Sequence, residues 1–328
     1  MEVVHMAAAH TGMPDIDPNR PSVRFINGVL DIFFGGPPPE PQVIKQRVDE
    51  LLRSLPSPPR EFGASAQDQA ERLVEAAWET TDETGLDLAV TALCLWPNCA
   101  DAYTYLGVQA GEVAEIALPM FTLGVTAGYE ALGQARFDED TGHFWGVVET
   151  QPFMRALAEL ARVNRDVGAL EVAASHFAEM LRLNPNDDQG VRYELLATFL
   201  QMGATAEAGA LLQDYGEEDS VPFAYGAALA AFQREGDSET ARALLRAAFE
   251  ANPHMARFIA GVEPMPQEIS LALAEGSADE GAVYAEIFAP AWEATRHATG
   301  WMTAQLKLTE PPRAAPPPKT KRTGPREV

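Results

Sequence analysis

Only two cysteines, Cys94 and Cys99, stand in 328 residues, and no other Cys or His pair at ligand spacing accompanies them. A structural zinc site is therefore excluded, and because both lie in a helix-turn pattern where buried thiols are common, free cysteines are expected rather than a disulfide. Basic residues are also scarce. Twenty-four Lys and Arg face 48 Asp and Glu, for a net charge of −24. Such a surface repels phosphate backbones and anionic lipid heads, so nucleic acid and membranes are not expected ligands, while a basic protein or peptide is. Long apolar runs are missing as well. The most apolar stretch, Ile116 to Tyr129, is bounded by Glu115 and Glu130 and is too short to span a bilayer. The start of the chain carries Glu2 and no basic cluster ahead of a hydrophobic run, so it does not read as a signal peptide, and a cytoplasmic protein is expected. No glycine-rich phosphate loop, nucleophile elbow or paired-histidine metal motif is present, so no catalytic activity and no cofactor are expected.

What the chain does have is apolar content, 46% of residues, enough to bury a core in most of its length. Pro14, Pro18 and Pro21 punctuate the first forty residues, and residues 1–65 read as an irregular N-terminal segment. Within it Val23 to Phe34 is apolar enough to dock, and Val43 to Ser54 has the spacing of one short amphipathic helix. From Ala66 to about Leu306 the texture is helical. Residues 308–328, rich in proline and holding five basic side chains and one acid from Arg313 onward, read as a disordered tail.

Self-comparison at an offset of 68 residues superposes Gly168 on Gly236, Ala173 on Ala241, Asn184 on Asn252 and Pro185 on Pro253. That offset is twice the 34-residue tetratricopeptide period. In each copy a first helix (Leu157, Leu160, Ala161; then Tyr225, Ala228, Leu229) leads to a glycine turn. Next come a small residue where the second helix crosses the first and a proline expected to close the unit. Val191 to Tyr215 reads as a degenerate pair between them, with Ala197, Gly203, Ala208 and Leu212 in equivalent roles. Upstream, Ala92 to Pro97 followed by Ala102 to Gly107 repeats the junction between units. The glycine-punctuated stretch 133–150 interrupts the period, and Ala278 to Leu306 reads as a capping pair. The expected fold is all-α, a tetratricopeptide-like α-solenoid of stacked antiparallel helix pairs over residues 66–307 with an insertion at 133–150.

Two stretches are more specific than the repeat pattern: Gly142-His143-Phe144-Trp145-Gly146 with Glu149-Thr150-Gln151-Pro152-Phe153-Met154-Arg155, and Leu183 through Asn184-Pro185-Asn186-Asp187-Asp188-Gln189 to Tyr193. With them the run from about Ala89 to Trp301 resembles the suppression-of-tumorigenicity-seven proteins and their bacterial tetratricopeptide relatives. Gln151 and Phe153 stand where that family usually carries Arg and Tyr, and the membrane segments of its animal members have no counterpart here. The resemblance implies a helical-repeat protein and supplies no reaction.

The insertion is the first place to look for a binding surface, since additions to a repeat array map to loops on one face. Phe144 and Trp145 are candidate peptide anchors, with a fold-back onto the helices as the alternative. Glu149, Arg155, Asp188, Gln189, Arg192 and Tyr193 complete the candidate binding set, Arg155 and Arg192 through a ligand carboxylate or through internal pairs with Glu149 or Asp188. Asp187 is positioned to cap the next helix. The leading expectation is a protein-interaction scaffold or adaptor that takes a protein or peptide segment on an acidic helical surface. Two others stand beside it: a metal-dependent hydrolase using Asp138, Asp140, His143 and Glu149, and a self-assembling structural subunit.

Overall fold

The computed structural model describes residues 17–37, 39–56, 58–80, 83–216, 219–270 and 272–309. Residues 1–16 of the N-terminal segment and residues 310–328 of the expected tail lie outside them. The chain divides into two compact units, Met1–Asp214 and Tyr215–Val328. Among the described residues every regular element is a helix.

The first unit contains α1 (Pro21–Phe34), α2 (Pro41–Ser54), α3 (Ala66–Trp78), α4 (Thr84–Leu95), α5 (Ala100–Gln109), α6 (Ala114–Asp140), α7 (Gln151–Asp166), α8 (Leu170–Leu183), α9 (Val191–Met202) and α10 (Thr205–Asp214). From α3 onward the helices pair in sequence, α3 with α4, α5 with α6, α7 with α8 and α9 with α10. The first helices also pack side by side, α3 on α5 and α5 on α7. The second unit contains α11 (Val221–Glu235), α12 (Glu239–Ala251), α13 (Pro253–Ile259), α14 (Ala278–Ala294) and α15 (Ala298–Thr309), with α11 paired to α12 and α13 to α14.

Prolines that look like interruptions in the sequence turn out to begin helices. Pro21, Pro41 and Pro253 each occupy the first helical position, where the missing N–H has no intrahelical partner to lose. Two expectations are corrected by this. The N-terminal segment carries two helices instead of one, since Val23 to Phe34 is helical from Pro21 onward. Pro253 opens the following helix; it does not close the unit before it. Arg20 fastens α1 to α4: its Nε and Nη2 donate to Asp87 at 3.1 and 2.8 Å, and Nη2 also donates to the Glu83 carbonyl at 2.9 Å. At Ala66, where helical texture is expected to begin, Ser65 and Asp68 form a reciprocal capping box.

The 68-residue correspondence has a physical basis. Gly168 and Gly236 both turn the chain at positive φ, +80° and +65°, a conformation glycine adopts without Cβ strain. Ala173 and Ala241 are both fully buried, and Asn184 and Asn252 both end their helices in non-helical backbone, φ −140° and −156°, and both are buried. Asn252 then caps α13 through its Oδ1, and its Nδ2 donates to the Ser277 carbonyl and to Glu280. The Val191–Tyr215 pair is present as α9 and α10, turned by Gly203 at φ +71°. Close crossings in the first unit use glycine: a Cβ on Gly128 would stand 3.0 Å from Phe153 Cβ and 3.1 Å from its Cα. In the second unit Trp301 stacks on Phe232, centroids 4.4 Å apart, and its indole N–H donates to Asp237 at 2.7 Å, which docks α15.

The stretch 133–150 is more ordered than its glycines suggest. Gly133, at φ +70°, breaks α6, which resumes through Gln134–Asp140, and two 3-10 turns follow at Phe144–Gly146 and Val148–Thr150. Cys94 and Cys99 are free thiols. No helix among the described residues is long and apolar enough to cross a membrane.

Candidate functional site

Helix α3 presents Gln67, Glu71, Glu75 and Trp78 at spacings of four, four and three residues, which puts them on one face. That face forms one wall of a groove of about 850 Å³ in the first unit. Asp101 and Thr104 of α5 line it with Trp96 and Asn98 from the preceding turn. The opposite side is built from Gly128, Ala131, Leu132 and Arg136 of α6, from Val148 and Glu149, and from the start of α7 through Arg155. The side-by-side packing of the first helices of three successive pairs leaves this concavity.

Its surface joins exposed apolar groups to unneutralised acid. Trp78 is 49% exposed and Val148 73% exposed. The Trp78 ring is held edge-on against the buried Tyr105 ring, centroids 4.9 Å apart, so one side of the indole is braced while the rest is open. Both arginines in the lining are already engaged. Arg155 donates to Asp101 through Nε and Nη2, and Arg136 donates to Asp140 at 3.0 Å. Glu71 accepts from the Gln67 amide at 2.9 Å, whereas the carboxylates of Glu75 and Glu149 have no partner among the described residues. The groove is therefore net acidic. Burial pushes the Cys99 thiol up to about 12, with the nearby Asp101 and Glu71 carboxylates adding to the rise, so this lining residue stays a neutral thiol.

Of the eight residues expected from the sequence to bind, the structure brings two, Glu149 and Arg155, to the groove. Phe144 is corrected: it is fully buried with Phe137 and Phe153, centroids 5.0 and 6.2 Å away, and is a packing residue with no surface to offer a ligand. Trp145 is half-buried beside it, its carbonyl taken by the Gln151 amide. Asp188 and Gln189 lie in the α8–α9 turn and Arg192 and Tyr193 in the first turn of α9, and none of the four lines the groove. Arg155 pairs with Asp101 and not with Glu149 or Asp188. Arg192 pairs with Asp187, Nη1 to Oδ2 at 2.8 Å, instead of Asp188, and its guanidinium lies 4.4 Å from the centre of the Tyr193 ring. Asp187 caps as expected, accepting from the Val191 and Arg192 amides at 2.8 and 3.0 Å. The side chains proposed for metal chemistry are not gathered: Asp138 accepts from Gln134, Asp140 pairs with Arg136, His143 is exposed and Glu149 sits on the groove rim. Among the described residues no three His, Cys, Asp or Glu side chains converge as a metal-binding group.

Glu71, Glu75, Trp78, Trp96 and Asp101 line the groove without belonging to any binding motif of the sequence. For Glu71, Glu75 and Trp78 the signal is the α3 stripe, a polar helix face that ends in a tryptophan; Trp96 and Asp101 lie outside that helix and carry no such pattern. The chain matches no protein-family model and no curated protein.

Proposed function

We propose that this chain is a protein-interaction adaptor that receives a segment of a partner protein in the groove between α3, α5 and α7. The single observation that carries this reading is a half-exposed tryptophan and an exposed valine set in an acidic concavity large enough for several side chains. On a surface that only meets water, such apolar groups are normally scattered singly. The helix pairs, the 68-residue correspondence and the glycine turns support a tetratricopeptide-type array as the scaffold, and the resemblance to the suppression-of-tumorigenicity-seven proteins belongs to the same proposal. A cytoplasmic location is part of it too, supported by the free thiols.

The test is selection of the intact chain against random dodecapeptides displayed on phage, followed by affinity measurement for the enriched sequences. Enriched peptides that lose roughly tenfold or more on Trp78→Ala, with circular dichroism unchanged, support groove binding. Peptides that bind equally well to wild type, Trp78→Ala and Val148→Glu contradict it.

A further inference from the structure

Resting on the groove reading, we infer that the anchor the groove accepts is an arginine side chain, stacked on Trp78 and held by the carboxylates beside it. Charge selects the sign of the ligand first. The two lining arginines are both spent on carboxylates of this chain, so an acidic segment finds no open cation among the described lining residues, while Glu75 and Glu149 have no partner among the described residues. An indole is the side chain that binds a cation best through its π face, and Trp78 is half-exposed with its ring braced by Tyr105.

Geometry then favours a guanidinium over an ammonium. Glu75 and Glu71 precede Trp78 by three and seven residues on the same helix face, about 4.5 and 10.5 Å along the axis. A planar fork lying on the indole keeps its N–H edge free to donate toward Glu75, and the rest of its donors toward the groove interior. A lysine ammonium is a compact, strongly hydrated point charge that satisfies the ring or a carboxylate with less of its shell removed. The open side of the groove leaves room for the peptide that carries the arginine to run past Val148 and Glu149.

The experiment uses the full chain and four fluorescein-labelled pools of degenerate nonapeptides whose central residue is fixed as arginine, lysine, citrulline or norleucine, read by anisotropy. The arginine pool should bind roughly tenfold or more tighter than the citrulline pool, which has the same shape without the charge, and several-fold tighter than the lysine pool. Glu75→Gln removes an exposed carboxylate that has no partner among the described residues, and should weaken the arginine pool several-fold while leaving the circular dichroism and the citrulline pool unchanged. Trp78→Ala should abolish the difference between arginine and lysine. Equal affinity for arginine and lysine, or for arginine and citrulline, overturns the arginine assignment, and if that binding still depends on Trp78 the adaptor reading stands. No Trp78-dependent binding by any pool overturns both.

Discussion

Arg155 and Asp101 face each other from α7 and α5 as a two-point ion pair, Nε to Oδ1 at 2.9 Å and Nη2 to Oδ2 at 2.6 Å. The pair joins the first helices of two successive hairpins and settles the charge of the groove they line. With side chains 41% and 25% exposed, it is screened by water, so its loss costs only about 0.5–1 kcal/mol of stability. Its effect on ligand preference is larger. Asp101→Asn frees a cation within the groove and should weaken arginine-centred peptides several-fold; Arg155→Gln frees a carboxylate and should strengthen them. Anisotropy titrations on the two variants check the opposite signs, and the same sign for both would contradict the charge argument.

A second pairing between α7 and α9 carries more stability because it is drier. Glu194, its side chain 8% exposed, accepts from Arg162 Nε and Nη2 at 3.0 and 2.7 Å and from Arg165 Nη1 at 3.1 Å. Although its burial opposes the charged form, the Glu194 and Glu159 carboxylates raise the Arg162 pKa. Glu194→Ala leaves two neighbouring guanidiniums without their shared counterion and should cost about 3 kcal/mol. The urea midpoint measures it, and a loss below about 1 kcal/mol would place the pair among weak surface contacts.

Gly107 sits where α5 meets α6, and a methyl group there would run into the ring of the buried Phe121. Gly107→Ala should therefore destabilise the first unit by about 1–3 kcal/mol despite the better helix propensity of alanine. Thermal unfolding followed by circular dichroism decides between the two effects.

His176, half-buried on α8, has its pKa lowered from 6.5 by burial, which penalises the imidazolium. The folded value lies below the unfolded one, so the unfolded state takes up its proton first as pH falls. The stability His176 contributes is present above about pH 6.5 and is lost as the pH falls through the lowered folded value. His176→Gln should flatten the pH dependence of the urea midpoint in that window, and an unaltered slope would remove histidine burial as its cause.

The helices and their pairing were legible because they rest on local rules. Glycine turns at Gly168, Gly203 and Gly236, and small crossings at Ala173 and Ala241, are requirements of one or two residues that a self-comparison finds. The N-terminal helix α1 is hidden in the sequence because Pro21 reads as a breaker until its position at the first turn is known. The groove was the least legible part. Its walls come from residues 67–78, 96–104, 128–136 and 148–155, so the concavity depends on how helix pairs pack and no short motif encodes it. The sequence pointed to Phe144 and Trp145 because aromatics in an insertion resemble anchors. Only packing reveals that Phe144 fills the space between Phe137 and Phe153, while Trp78 on α3 keeps a half-exposed ring at the groove.

Amide hydrogen exchange of the full chain with and without a saturating arginine-centred peptide tests the central claim most directly. Slower exchange confined to the groove walls, residues 67–78, 96–104, 128–136 and 148–155, and abolished by Trp78→Ala, is the predicted result; unchanged exchange in those four stretches with protection elsewhere in the chain would contradict it.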